Sequence, residues 1–383
     1  MKLPAESDFT SRLRSAAVTA RVGLWLGMCF LICFVTGLIS HYAQNADHPL
    51  PFPASPVWGY RVTQGLHVST GSAAVPLLLV KLWTVYPRLF RRPERRLRPL
   101  LLDALERGSI LVLVAAAVFQ LATGLANAAQ WYPWTFSFRS AHYAVSWLAV
   151  GALLVHVAVK LPVIRDVLGV DVEATDHDRP SATEPGALTR RGLLRATWVG
   201  SIGAVVVTAG STVPLLRRVS VLGVRSGSGP GGVPINKSAA AARVVAAATH
   251  PDYRLVLVNG RRTKAITRAD LLTLPQHVEE LPIACVEGWS ASGRWGGVRV
   301  RDLLDLVGVP AGTDVLVTSL QGTGPYRTTV LHGNFADDPR TLLALSLDGE
   351  PLSLDHGFPA RVVAPDRPGV LQTKWVSRIE VRT

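Results

Sequence analysis

Cysteine is scarce in this chain, with three in 383 residues. Cys29 and Cys33 fall one helical turn apart in an apolar run and read as packed small hydrophobes. Cys285 alone lies in the polar C-terminal half. A single thiol there excludes an intramolecular disulfide and leaves three roles: buried small hydrophobe, reactive thiol, or soft ligand for a metal. Acidic residues are also few, 27 against 40 Lys and Arg, giving a formal net charge of +13. Such a balance raises nucleic acid as a partner, but the basic residues cluster at Arg12, Arg14 and Arg21, at 88–98 and at 190–195, each beside a long apolar run. That is the positive-inside pattern of membrane spans, and no nucleic-acid partner is expected.

What is abundant is apolar: 48% of residues, with a mean hydropathy of +0.27. Five runs are long enough to cross a lipid bilayer, at about 18–40, 66–86, 109–129, 142–163 and 193–216. The basic N-terminus and the loops 88–107 and 160–195 are expected inside. Loops 41–60 and 130–139, the latter with Trp131, Tyr132 and Trp134, are expected outside. The first four spans read as an up-down four-helix bundle, and the fifth carries the chain outward again.

Histidines are unusual in such spans and default to functional hypotheses. His67 and His142 fall near the same expected surface on antiparallel helices, where they are positioned to clamp one b-type haem. His156 follows His142 by fourteen residues, about 21 Å along a helix and on nearly the same face. The layout is similar to the four-helix di-haem b-type cytochromes of respiratory membranes. It departs from them at 11–26, which holds no histidine to oppose His156, and Lys81 cannot serve as an ordinary neutral ligand. One outer haem is expected, exchanging electrons with quinone. The competing expectation is a redox-silent anchor whose histidines bond to interfacial groups. His41 is an alternative ligand or an interface residue.

Thr189-Arg190-Arg191-Gly192-Leu193-Leu194-Arg195, followed by an apolar run, resembles a twin-arginine export signal placed internally. The alternative is that these arginines only enforce topology. The expected order is a membrane domain (1–165), an inside linker (166–192), a fifth helix (193–216), a Gly/Ser-rich tether (217–233) and a catalytic domain (234–383).

In the C-terminal half, short β-rich runs at 254–258, 281–286, 314–319, 360–363 and 377–381 alternate with helical stretches at 268–274 and 301–307, an α+β pattern. Cys285 sits in ACVEGWSASGRWGGVRV (284–300), a turn-rich stretch, and a second stretch reads LLALSLDGEPLSLDHGFPARVV (342–363), followed by Lys374-Trp375. Together these resemble the metal- and cofactor-binding segments of the sulfite oxidase-fold molybdopterin enzymes, over about 234–383. The fold class is therefore multi-domain: an all-α transmembrane bundle and one further span, then an α+β sulfite oxidase-like domain.

The resemblance implies that the Cys285 thiolate holds molybdenum, that His356 and Arg361 bind Mo-molybdopterin, and that Lys374 grips its phosphate. It also implies a pterin-contacting hydroxyl at Ser319, an amide from Asn236, main-chain contacts at Gln372 and Thr373, and an active-site tyrosine region at Tyr326, alternatively a surface loop. Arg294 is the nearest cation in sequence to the thiol, placed either to face an anionic oxo-substrate or to be solvated. The expected activity is oxygen-atom transfer or its two-electron equivalent, on a small-molecule or protein-borne oxo or sulfur substrate. Electrons pass through the haem or, in the alternative, a soluble carrier. A tethered scaffold without chemistry is the third reading. The arginine set of sulfite oxidation cannot be placed, and a monomeric catalytic domain is expected.

Overall fold

The computed structural model describes residues 4–91, 97–223 and 232–382, with no side-chain description at 97–103 and 106. Arginines at 92–96 and the middle of the expected tether (224–231) lie outside the described residues. Contacts divide the chain into two compact units that interleave in sequence. One comprises Met1–Gly37, Leu66–Gly210 and Arg218–Gly223; the other comprises Leu38–Gly65, Ser211–Arg217 and Val224–Thr383.

Five long helices supply the apolar chain: α1 (Ala16–Ala43), α2 (Gly59–Val85), α3 (Leu97–Ala128), α4 (Phe138–Leu168) and α5 (Arg190–Thr208). Each carries a window long and apolar enough to cross a membrane, with mean hydropathy between 1.4 and 2.3. Leu31, Leu79, Leu111, Leu154 and Val199 expose well over half their surface, an outward apolar face suited to lipid. In the first unit, Val18 and Val22 of α1 pack with Leu77 of α2, Ala117 of α3 and Val167 of α4. Lys81 donates to the Thr19 carbonyl at 2.9 Å and fills the notch over Gly23, where a Cβ would stand 2.7 Å from Nζ. Arg190 is buried, donating to the carbonyls of Arg12, Val172 and Ala174 and to the Asp178 carboxylate.

The second unit is built on two sheets. In one, β1 (Arg254–Asn259) lies between β2 (Arg262–Thr267) and β10 (Val376–Val381), and β5 (Val315–Ser319) and β6 (Thr328–Leu331) follow. Only β1 and β10 run parallel. In the other, β3 (His277–Ala284), β4 (Ser290–Arg299) and β7 (Leu342–Leu347) are consecutive and antiparallel, and β7 also pairs β8 (Glu350–Pro351) and β9 (Arg361–Val363). The apolar run of β7 follows from its central place. Leu343 and Leu345 enter the main core, while Leu342, Ala344 and Leu347 enter a second core with Cys285, Trp289 and Trp295. The stretch expected to be turn-rich is instead the hairpin β3–β4. Its glycines allow close strand approach, since a Cβ on Gly297 would stand 2.1 Å from the Leu343 carbonyl oxygen.

The segment between α1 and α2, expected as a membrane-domain loop, groups with this α+β unit. Ala46 accepts the Val330 N–H at 2.9 Å, extending the edge at β6. The Pro49 and Phe52 carbonyls accept from His332 and Asn334 at 3.1 and 2.9 Å. Arg340 donates to the Ala54 carbonyl at 3.0 Å and Ser55 Oγ at 2.8 Å while pairing with Asp338. Phe52 and Ala54 pack on the main core and Val57 on the second. Arg340→Ala removes two of these strap contacts and the ion pair with the half-buried Asp338, a loss of about 1 kcal/mol. The expected result is a lower melting temperature of the detergent-solubilised protein and faster proteolysis within 46–56; an unchanged cleavage rate would remove Arg340 from the strap.

Candidate active site

Cys285 occupies the turn that joins β3 to β4. The strands pair up to Ala284 and Ser290, the Cys285 N–H bonds the Trp289 carbonyl at 2.9 Å, and the Gly288 N–H bonds back to Cys285 at 3.0 Å. Gly288 closes the turn at φ 81°, a backbone state that suits glycine. The thiol is buried, with Sγ 3.9 Å from Glu287 Oε2, and that carboxylate is fixed by the Trp289 indole N–H at 2.9 Å. Burial, followed by the Glu287 charge, pushes the thiol up to about 12. A reactive thiol requires the opposite shift. In the bare chain, burial and the Glu287 carboxylate thus disfavour the thiolate, and a bound cation would favour it.

Behind the thiol lie two buried cations, Arg361 at the start of β9 and Lys374 ahead of β10. Both act electrostatically on Cys285. Gly357 brings them together: its φ is 115°, and a Cβ there would stand 3.1 Å from Arg361 Cβ and 3.2 Å from Lys374 Cβ. Arg361 lies over the Trp295 ring at 5.2 Å and donates from Nη1 to the His356 carbonyl at 3.3 Å, while its Nε is buried without a partner. Lys374 stands over Trp375 at 4.7 Å and donates to Asn236 Oδ1, the Lys237 carbonyl and the Asp355 carbonyl at 3.2, 2.5 and 3.0 Å. Neither cation has a carboxylate within salt-bridge distance among the described residues. Burial lowers Arg361 to about 10; burial, then the Arg361 charge, lowers Lys374 to about 7.

The other expected residues divide into two groups. Asn236 bonds Lys374, and Ser319 donates to the Lys374 carbonyl at 2.8 Å, so both join the cluster. His356 is next to it but spends both ring nitrogens, Nε2 on the Val233 carbonyl and Nδ1 on Ser353 Oγ, each at 2.9 Å. The Gln372 side chain is occupied by the backbone of Ala364 and Arg367, and Thr373 bonds Thr329 at 2.8 Å. Tyr326 is half-buried beyond β5, within electrostatic reach of Tyr60. Arg294 is not brought to the thiol. It pairs with Glu280, four positions from the Cys285 end of the hairpin, or about 13 Å along a strand. Its side chain also takes the exposed face while Gly293 and Trp295 face inward.

Sequence reasoning missed Tyr60 and Asp366. Tyr60 packs on Ala284, and its N–H is bonded by the buried Asp366 carboxylate. Neither belongs to a motif; the nearest signal is an aromatic residue at the start of a long apolar helix.

In the first unit, the rings of His67 and His142 stand edge to face, their planes 64° apart and their centroids 6.3 Å apart. His67 Nδ1 is held by the Cys33 carbonyl at 3.0 Å and Thr36 at 3.1 Å, and His142 Nδ1 by Thr123 at 3.1 Å. Gly37 and Gly124 stand against the rings, where Cβ atoms would come within 3.2 and 3.6 Å. His156 is half-buried further along α4.

Residues 242–383 match the family model of the oxidoreductase molybdopterin binding domain. The C-terminal domain is a molybdopterin-binding oxidoreductase domain. It is similar to mitochondrial sulfite oxidase of Drosophila melanogaster, 33% identical over 34% of this chain and 27% of that one. Sulfite oxidase of Arabidopsis thaliana is 36% identical over 24% of this chain and 28% of its own. A protein of Azospira oryzae, provisionally named protein-methionine-sulfoxide reductase subunit YedZ1, is 35% identical over 30% of this chain and 44% of its own. The matches thus span less than half the length of these relatives. Molybdopterin carries an anionic phosphate, and the molybdopterin-binding domain offers what an anion requires: a buried guanidinium with an unpartnered Nε beside a buried ammonium answered only by neutral oxygens.

The Lys374 shift has a measurable consequence. Between about pH 7 and the ordinary lysine value near 10.4, the unfolded chain holds a proton that the folded apo chain lacks, so folded stability rises with pH across that window. Melting of cofactor-free protein from pH 6.5 to 9.5 is expected to show that rise, and Lys374→Met to flatten it; an equal slope in both would place the titration elsewhere.

Proposed function

We propose that the chain is a membrane-anchored oxidoreductase acting on a sulfur oxo compound at a molybdenum centre ligated by Cys285, with the catalytic domain extracytoplasmic. The carrying observation is the meeting of a buried thiol with Arg361 and Lys374, two buried cations without an acid partner, in a molybdopterin-binding domain. When bound, the cofactor supplies a metal that exchanges two electrons and an oxygen atom with substrate. The chain's residues do the remaining work. The β3–β4 turn orients the Cys285 sulfur, and Arg361 and Lys374 hold the phosphate end, the first by a planar fork and the second as a point charge. Trp295 and Trp375 wall these cations from water. The names of the relatives pair sulfite oxidation with protein-methionine-sulfoxide reduction, and both exchange oxygen at sulfur.

His67 and His142 are assigned one b-type haem passing electrons to or from quinone. Two metal–imidazole bonds of about 2 Å, plus half a ring at either side, come to about 6 Å, close to the observed 6.3 Å between ring centroids. With each Nδ1 engaged, Nε2 is the nitrogen left for iron. Helix α1 holds no histidine before His41, which supports one haem over two. The strap between α1 and α2 carries few basic residues and packs in one unit with the catalytic domain, so the two share a side, and the basic loops mark the opposite one. Arg190-Arg191 serves as the export signal.

Metal analysis tests the ligand: molybdenum near one per chain in wild type, lost in Cys285→Ala with the melting profile kept, is the expected result, and equal metal in both would refute it. A reduced b-type α-band that disappears in His142→Ala is expected for the haem; its absence from wild-type membranes would leave the helices as a plain anchor.

A further inference from the structure

The α1–α2 hairpin reaches the residue beside the thiol. Tyr60, in the first turn of α2, is fully buried and packs with Ala43, Phe52 and Ala284, the residue preceding Cys285. The backbone at Gly369 presses on the same residue, since a Cβ there would stand 2.9 Å from the Ala284 carbonyl oxygen. The loop that carries Gly369 also supplies Asp366, whose carboxylate accepts the Tyr60 N–H. Asp366 holds a left-handed backbone at φ 49°. Gly59 leaves space for it, since a Cβ there would lie 2.7 Å from Oδ2. The catalytic domain therefore fixes both the main chain and the ring of Tyr60.

The hydroxyl is held from the end of α1. Ser40 Oγ lies 2.5 Å from the Gln44 amide and 2.9 Å from Gln64 Nε2. Its contact with the Tyr60 oxygen is 2.9 Å, and either hydroxyl can donate there. That oxygen also lies 2.9 Å from the Gln44 amide, so Ser40 and Gln44 together fix where the hydroxyl sits. Gln44 Oε1 is buried beside it with no partner. The two expected catalytic side chains, Cys285 and Tyr326, lie within electrostatic reach of Tyr60.

We propose that Tyr60, contributed by the membrane hairpin, is a residue of the active site whose hydroxyl donates a hydrogen bond to the oxygen of a sulfur oxo substrate, Ser40 and Gln44 holding it in place. The proposal rests on Cys285 as the metal ligand. A donor aimed at an S–O oxygen gains strength as the bond polarises, so it acts more on the transition state than on the bound substrate.

The test uses the membrane-embedded full chain, with methionine sulfoxide plus a reduced viologen dye and sulfite plus ferricyanide as the two couples. Tyr60→Phe keeps the ring and removes the hydroxyl. It is expected to retain molybdenum and to lose about ten- to a hundredfold in kcat/KM, mainly in kcat, with a smaller loss in Gln44→Ala. In chain produced without molybdenum, iodoacetamide modification followed at the Cys285 peptide is expected to be unchanged in Tyr60→Phe and faster in Tyr60→Ala. Wild-type kinetics in Tyr60→Phe at equal metal, or loss of metal from it, would overturn the proposal. So would slow alkylation in Tyr60→Ala, which also decides the matter if neither couple is turned over. A Cys285→Ala protein that keeps its molybdenum sinks the ligand assignment instead, while the alkylation comparison still judges where Tyr60 stands.

Discussion

Two like charges buried side by side, with no carboxylate in salt-bridge contact among the described residues, set the terms for the rest of the C-terminal domain. Arg361 and Lys374 are drawn together by a left-handed glycine, backed by two indole rings, and given only neutral oxygens as partners. Such a pair works against folding in the bare chain. An anion bound there relieves that opposition, so occupancy and stability are one linked quantity. The elevated thiol beside them has the same logic, since proton loss from Cys285 is unfavourable until positive charge arrives.

A second constraint is that the compact units do not follow the sequence. Leu38–Gly65 belongs by its contacts with residues more than two hundred positions further on. Helices α1 and α2 therefore begin or end inside the body that carries the thiol, while most of their length belongs to the other. The catalytic domain and the membrane helices are separate in composition and shared in construction.

What could be read from the sequence was what local chemistry dictates. Cys285, the HGFPARVV stretch, the strands at 254–258 and 314–319 and the five apolar runs were legible because each depends on neighbours in the chain. The β3–β4 hairpin was not, because its Gly and Ser content reads as turn and only the closeness of β7 explains it. Arg294 was singled out for nearness in sequence, and strand alternation turned it outward. Tyr60 and Asp366 stand 306 positions apart, a pairing that no window of sequence contains. Arg190 offered a motif, but nothing in it foretold four partners drawn from the N-terminus and the linker.

The strap also fixes an order of events during synthesis. Its carbonyls at Ala46, Pro49, Phe52 and Ala54 find their donors between Val330 and Arg340, so the ribosome completes the first hairpin long before anything exists to receive it. Closure over such a span is slow, and the waiting segment keeps Phe52 and Val57 uncovered meanwhile. A nascent chain stopped before its last sheet thus displays a ribbon whose carbonyls are unpaired and whose apolar side chains are uncovered.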